Sequence, residues 1–257
     1  MAESILGLSV QSQGSSGAPL VFIAGPPLGI AIFEQVQRRL GDRRSIAVEL
    51  TSLGEPATLT NLSRRLQQLC SETGAAGVVA HGLAVPVGLR LEGLPVYISN
   101  GPAVQLDPLM RSLALMGPRA LSRLLKPELL TRWLASSAGL RRAVSNPYVM
   151  DRDTVVRVTE GVVSSAERRR AAAEWICALA SEDLDQWSVD ASQVSAIWGD
   201  SDPLYPVAPL RKVLSERGGQ APSVILGGRL MHPEERPWEL ADRVVDAEKG
   251  HTATQMS

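Results

Sequence analysis

Gly77-Val78-Val79-Ala80-His81-Gly82-Leu83-Ala84, continued by Val85-Pro86-Val87-Gly88-Leu89, is the stretch on which the fold turns. A short β-branched run ends in small residues, as a buried strand does. The chain then turns sharply at His81-Gly82 and passes into an apolar segment. Ala80 and Ala84 flank the turn and are small enough for a strand and a helix to pack tightly across it. Taken alone, the octet reads as a plain buried strand followed by a loop. The order of the features around it decides.

Upstream, Leu6, Leu8 and Val10 alternate with smaller or polar residues, which predicts an antiparallel strand or hairpin over Leu6 to Gln11. Gln13 to Ala18 reads as a turn and Leu20-Val21-Phe22-Ile23 as a buried strand, ending in the loop Ala24-Gly25-Pro26-Pro27-Leu28-Gly29. Helical spacing of Phe33, Val36 and Leu40 predicts a helix from Ile32 to Leu40. A strand from Ser45 to Leu50 follows. After a loop with Gly54 and Pro56 comes a helix through Leu62, Leu66 and Leu69 that stops before Gly74. Beyond the turn at Gly82, Leu94-Pro95-Val96-Tyr97-Ile98 is another strand. Strand and helix alternate throughout, which predicts a mostly parallel sheet covered by helices on both faces.

From Val104 to Trp187 the pattern is helical only, broken at Gly117-Pro118, Pro127, Gly139 and Asn146-Pro147. The expectation is one α/β domain over 1–257 with a helical cap inserted at 104–187. Strands resume at Val194 to Trp198 and Ser223 to Leu226. A closing helix begins near Pro237, with a frayed polar tail from Gly250.

Composition narrows the function classes. Charged residues make up 21% and the net charge is −1, so the chain carries no overall field for nucleic acid. Cys70 and Cys177 lie far apart and match no metal-ligand spacing, so neither a disulfide nor a metal is expected, and no cofactor motif is present. The opening Met1-Ala2-Glu3-Ser4 has no basic and apolar leader, and no apolar run spans a bilayer. A cytoplasmic location is expected.

The late motif makes the resemblance specific. Ile197-Trp198-Gly199-Asp200-Ser201-Asp202-Pro203-Leu204-Tyr205-Pro206 is similar to the strand-end G-x-x-D-P…P segment that carries the catalytic acid of α/β-hydrolases. Asp202 falls on the acid position. Gly227-Gly228 and Glu235-Arg236-Pro237 resemble the segment holding the catalytic His, and Ala24-Gly25-Pro26 stands where that family keeps its His-Gly-x-Pro oxyanion loop. The opening octet then resembles the nucleophile elbow G-x-S-x-G. Over roughly residues 5–246 the chain resembles the α/β-hydrolase fold superfamily.

The departures bear on activity. Gly82 stands in the nucleophile position and has no hydroxyl. A gap-free alignment puts Leu230 in the His position, with His232 two residues later, and Ala24 replaces the oxyanion-loop His. The acid turn after the second core strand is reduced to Glu49 and Gly54. Removing the Ser from a working triad costs a factor of about 10⁶ in kcat. The expectation is a degenerate triad in a pseudoenzyme that binds a lipophilic or anionic small molecule, or an acidic protein such as an acyl carrier. The basic, Leu-rich run from Arg111 to Arg142 would roof that pocket. Residues expected to line it are Gly25, Pro26, His81, Leu83 and Ser99. An alternative is a lyase, cyclase or isomerase in which His232, paired with Asp202, moves protons without a covalent step. A third is an esterase or thioesterase-type hydrolase using an activated water or Ser99, which ends the strand after the elbow and keeps the order Ser…Asp…His.

Overall fold

The computed structural model describes residues 3–52, 56–146 and 150–255. Gly54 and Pro147 lie outside them. The chain runs β1 (Glu3–Ile5), β2 (Leu8–Gln13), β3 (Ser16–Ala24), α1 (Glu34–Arg39), β4 (Arg43–Glu49), α2 (Leu59–Thr73), β5 (Gly77–His81), α3 (Val85–Gly88) and β6 (Val96–Ser99). Six helices follow: α4 (Pro108–Ala114), α5 (Gly117–Leu124), α6 (Pro127–Leu134), α7 (Ser137–Ala143), α8 (Arg152–Val163) and α9 (Ala166–Ser181). The chain closes with β7 (Val194–Gly199), α10 (Val207–Glu216), β8 (Ser223–Ile225), α11 (His232–Glu235) and α12 (Pro237–Gln255).

The eight strands form one sheet in the order β1-β2-β4-β3-β5-β6-β7-β8. β1 and β2 pair antiparallel, and β3 to β8 run parallel. The parallel strands are buried on both faces, so Leu20-Val21-Phe22-Ile23 and Val78-Val79-Ala80 are continuous apolar runs rather than alternating ones. α2 shows how sequence sets an element. Thr58 caps its start by accepting from Asn61 N at 3.2 Å, and Leu59, Leu62, Leu66 and Leu69 form its buried stripe.

Four local expectations are corrected. Leu6 does not extend a strand: with φ +55° it forms the β1–β2 turn, and the strand begins at Leu8. The turn after Gln13 is shorter than expected, because β3 already starts at Ser16. The helix expected over Ile32 to Leu40 is a 3-10 turn at Ile30–Phe33 followed by α1. The tail is not frayed at Gly250, since α12 continues to Gln255. There, Glu248 pairs with Arg43, and His251 Nε2 meets Ser195 Oγ at 3.0 Å.

Between β6 and β7 only helices occur among the described residues. Their starts follow from side-chain caps at Asp107, Ser136, Asp151 and Ser165, and from proline in the first turn of α4, α5 and α6. The segment is anchored at the carboxyl edge of the sheet. Gly29 N, in the loop after β3, donates to Val158 O of α8 at 2.7 Å, and Arg157 reaches Ala31 O at 3.0 Å. Gly82, Asp202 and His232 all follow the carboxyl ends of parallel strands, so topology brings them to that same edge.

Candidate functional site

The turn after β5 has the backbone that its sequence demands. Gly82 has φ +59°, a left-handed conformation that favours glycine, and its N–H donates to Asn100 O at 3.0 Å. Gly25, in the loop after β3, lies so close to the Leu83–Ala84 backbone that any side chain there would collide with it. Pro26 is buried beside it. A Cβ on Gly82, by contrast, would meet only Leu28 Cδ1 at 3.8 Å and Leu230 Cδ1 at 4.0 Å. The apex of the turn is therefore walled by two leucines, with room for one more carbon.

Below this apex His81, Ser99 and His232 form a chain, all fully buried. His81 and Ser99 are register partners on β5 and β6. Ser99 Oγ lies 3.1 Å from His81 Nδ1 and 3.0 Å from His232 Nε2. His232 Nδ1 lies 3.0 Å from Arg229 O. A carbonyl can only accept, so Nδ1 carries the His232 proton and Nε2 accepts from the Ser99 hydroxyl. Ser99 in turn accepts from His81 Nδ1–H. The imidazoles meet edge to face, with centroids 5.6 Å apart. Burial, then the nearness of His232, pushes His81 down to about 3, opposed by the backbone at Ser99 and Leu230. Burial also pushes His232 down to about 4. Both rings are neutral near pH 7.

Asp202 does not join this chain. Its Oδ2 accepts from Asn100 Nδ2 at 2.6 Å, and its Oδ1 accepts from Leu204 N at 2.8 Å and Tyr205 N at 3.3 Å. The pairing expected between Asp202 and His232 is not formed, because a backbone carbonyl occupies the ring nitrogen that an acid would hold. Burial raises the Asp202 pKa to about 6, partly offset by Asn100 and the two backbone donors. Asn100 is the residue that sequence reading missed. It has φ +27°, its side chain receives Gly199 N–H at 2.7 Å, and its backbone holds Gly82. An Asn directly after a strand and before Gly101 was its one signal, since Asn tolerates left-handed backbone. Glu49 is also buried; its Oε1 accepts from Thr51 Oγ1 at 2.6 Å, and burial raises its pKa.

Chemically, Ser99 and His232 have the contact of a nucleophile and its base, with Arg229 O orienting the ring. They lie in closed core. Open space lies instead among the helices. A cavity of about 270 Å³ is lined by eleven residues, all with apolar side chains, including Met110, Leu113, Leu121, Trp133 and Ile176. Pro27, next to the expected pocket residue Pro26, forms its floor on the sheet side. A second cavity, of about 300 Å³, lies beside α7 and is bordered by Arg141, Ser145 and Arg229. Among the described residues no group of three His, Cys, Asp or Glu side chains could hold a metal ion, and no helix is long and apolar enough to cross a membrane.

This sheet order, with its turn at Gly82 and its acid after β7, is that of the α/β-hydrolase fold, and the chain adopts that fold. It is similar to an α/β-hydrolase fold protein from Burkholderia ambifaria, with TM-score 0.74 and 18% identity over 93% of each chain. It is also similar to the epoxide hydrolase CorEH, with TM-score 0.73 and 17% identity over 93% of each chain. A thermophilic esterase from Thermogutta terrifontis matches with TM-score 0.71 and 16% identity, covering 93% of this chain and 92% of the esterase. No protein-family model and no curated protein matches the chain.

Proposed function

We propose that this protein is a non-hydrolytic member of its fold class that binds a lipophilic small molecule under a helical cap formed by α4 to α9. The observation that carries this reading is the cavity of about 270 Å³ with only apolar side chains around it. It exceeds the apolar cavity of about 150 Å³ that suffices to bind benzene. Its chemistry selects a ligand by shape and burial, with no charged or hydrogen-bonding anchor beyond the Trp133 indole. The apex residue Gly82 offers no nucleophile, and Leu28 and Leu230 close over it. The protein acts in the cytoplasm. The test is titration with N-phenyl-1-naphthylamine, an apolar dye that brightens on burial. Wild type should bind it saturably, and the cavity-filling change Leu121→Trp should weaken binding about tenfold or more, equivalent to about 1.4 kcal/mol. A wild-type protein that does not bind the dye, or a variant that binds as well, would sink the proposal.

The Ser99–His232 contact favours a second reading, a hydrolase whose nucleophile is Ser99. It needs the core above Ser99 to open. Incubation with a fluorophosphonate and peptide mapping distinguishes the two. The binding reading expects no label on Ser99; stoichiometric label there, lost in His232→Ala, establishes the hydrolase.

A further inference from the structure

We infer that the outer face of α4 to α6 docks on the surface of a bilayer containing anionic phospholipid, and that the apolar cavity opens onto that face. The inference rests on the cavity being the ligand site, and adds where the ligand comes from.

Three observations converge. First, nine large hydrophobic residues are exposed among the described residues, and five of them lie within 115–133: Leu115, Met116, Leu124, Leu129 and Trp133. Leu115 stands furthest out, at 86% exposure, just past the end of α4. Second, Arg111, Arg119, Arg123, Lys126 and Arg132 are interleaved with them, and Glu128 is the one acid between residues 108 and 142. None of these five cations forms an ion pair among the described residues. Third, Leu124, Leu129 and Trp133 are at once exposed and part of the cavity wall. The apolar face and the cavity wall thus share three residues.

Charge and shape select the occupant. A second copy of the chain would set the same unpaired cations against each other. Here exposed apolar side chains lie on short helices, with cations around them. That arrangement suits an interface where aliphatic and Trp side chains enter the acyl boundary while Arg and Lys meet anionic headgroups. An apolar ligand dissolved in the bilayer would then reach the cavity without crossing water.

The experiment uses the whole protein and two sets of vesicles, phosphatidylcholine alone and phosphatidylcholine mixed with phosphatidylglycerol, with binding read by flotation. Binding is expected to the mixed vesicles at low salt and to fall steeply as salt is raised. Leu115→Ser with Met116→Ser should weaken it about tenfold or more, as should Arg119→Gln with Arg123→Gln. Leu115 and Met116 lie outside the cavity wall, so the Ser variant should bind N-phenyl-1-naphthylamine as wild type does. Leu121→Trp should do the reverse, losing the dye and keeping the vesicles. No flotation with anionic vesicles, or flotation indifferent to the Leu115 and Met116 changes, overturns the inference. Tight, salt-sensitive binding to an acidic acyl carrier protein without flotation would also overturn it. Vesicle binding without dye binding would retain the docking face and sink the binding function, so the two fail separately.

Discussion

At the scale of single residues, Gly82 separates conformation from volume. Its φ of +59° would strain any L side chain, while its surroundings leave a Cβ in ordinary contact with Leu28 and Leu230. Gly82→Ala should therefore cost about 1–2 kcal/mol, the left-handed backbone penalty alone, measured by urea unfolding. A loss of more than about 4 kcal/mol would show that the site is overpacked instead. Gly82→Ser should show no burst with an activated ester, because the basic nitrogen of His232 is already engaged by Ser99. The glycine at the apex of the turn was legible in sequence, since its missing hydroxyl is a property of one letter. The partner of Asp202 was not. Both His232 and Asn100 can reach a carboxylate in principle, and only the packed loop after β7 shows that Asn100 holds it.

At the scale of elements, what was legible followed periodicity. Unbroken β-branched runs announced the buried parallel strands, and the spacing of Leu62, Leu66 and Leu69 announced α2. The helical content between β6 and β7 was legible because prolines and glycines punctuate apolar runs with no strand pattern. What escaped was set by tertiary contact. The polar residues after Gly250 stay helical beside the sheet, where His251 meets Ser195 and Tyr97. Leu6 is apolar and reads as strand, yet it sits at the turn because Leu8 and Val10 must face the core of β2. A pocket under a basic, Leu-rich roof was expected, lined by Gly25, Pro26, His81, Leu83 and Ser99. None of these five lines the apolar cavity among the helices, which Pro27 reaches from that edge.

At the scale of the whole molecule, buried titratable groups set opposite pH dependences. His81 and His232 titrate near 3 and 4 when folded, against about 6.5 unfolded. Their contribution is complete above about 6.5 and is lost as pH falls toward those values. Asp202 runs the other way: raised to about 6, its contribution is complete below about 3.9 and lost as pH rises through 6. Glu49, also raised by burial, adds to the Asp202 trend. These trends offset each other and flatten the acid limb of wild-type stability. His81→Asn keeps a donor near Ser99 and removes one proton site. Its stability relative to wild type should improve by about 1.4 kcal/mol per pH unit between about pH 6 and 4. Urea unfolding at three pH values checks this, and parallel curves would show that His81 does not titrate in the unfolding equilibrium.

The sheet order also has a consequence for synthesis. β6 is complete at Ser99, but its neighbour β7 begins at Val194, 95 residues later. At about 5–20 residues per second, a ribosome needs roughly 5–20 s to deliver that neighbour. Throughout that interval Val96 to Ser99 carries a bare edge and apolar faces that the finished molecule buries, with six helices emerging before its partner arrives. The nascent chain is thus most exposed to aggregation while the helical segment is being made, and the sheet closes only with the last quarter of the protein.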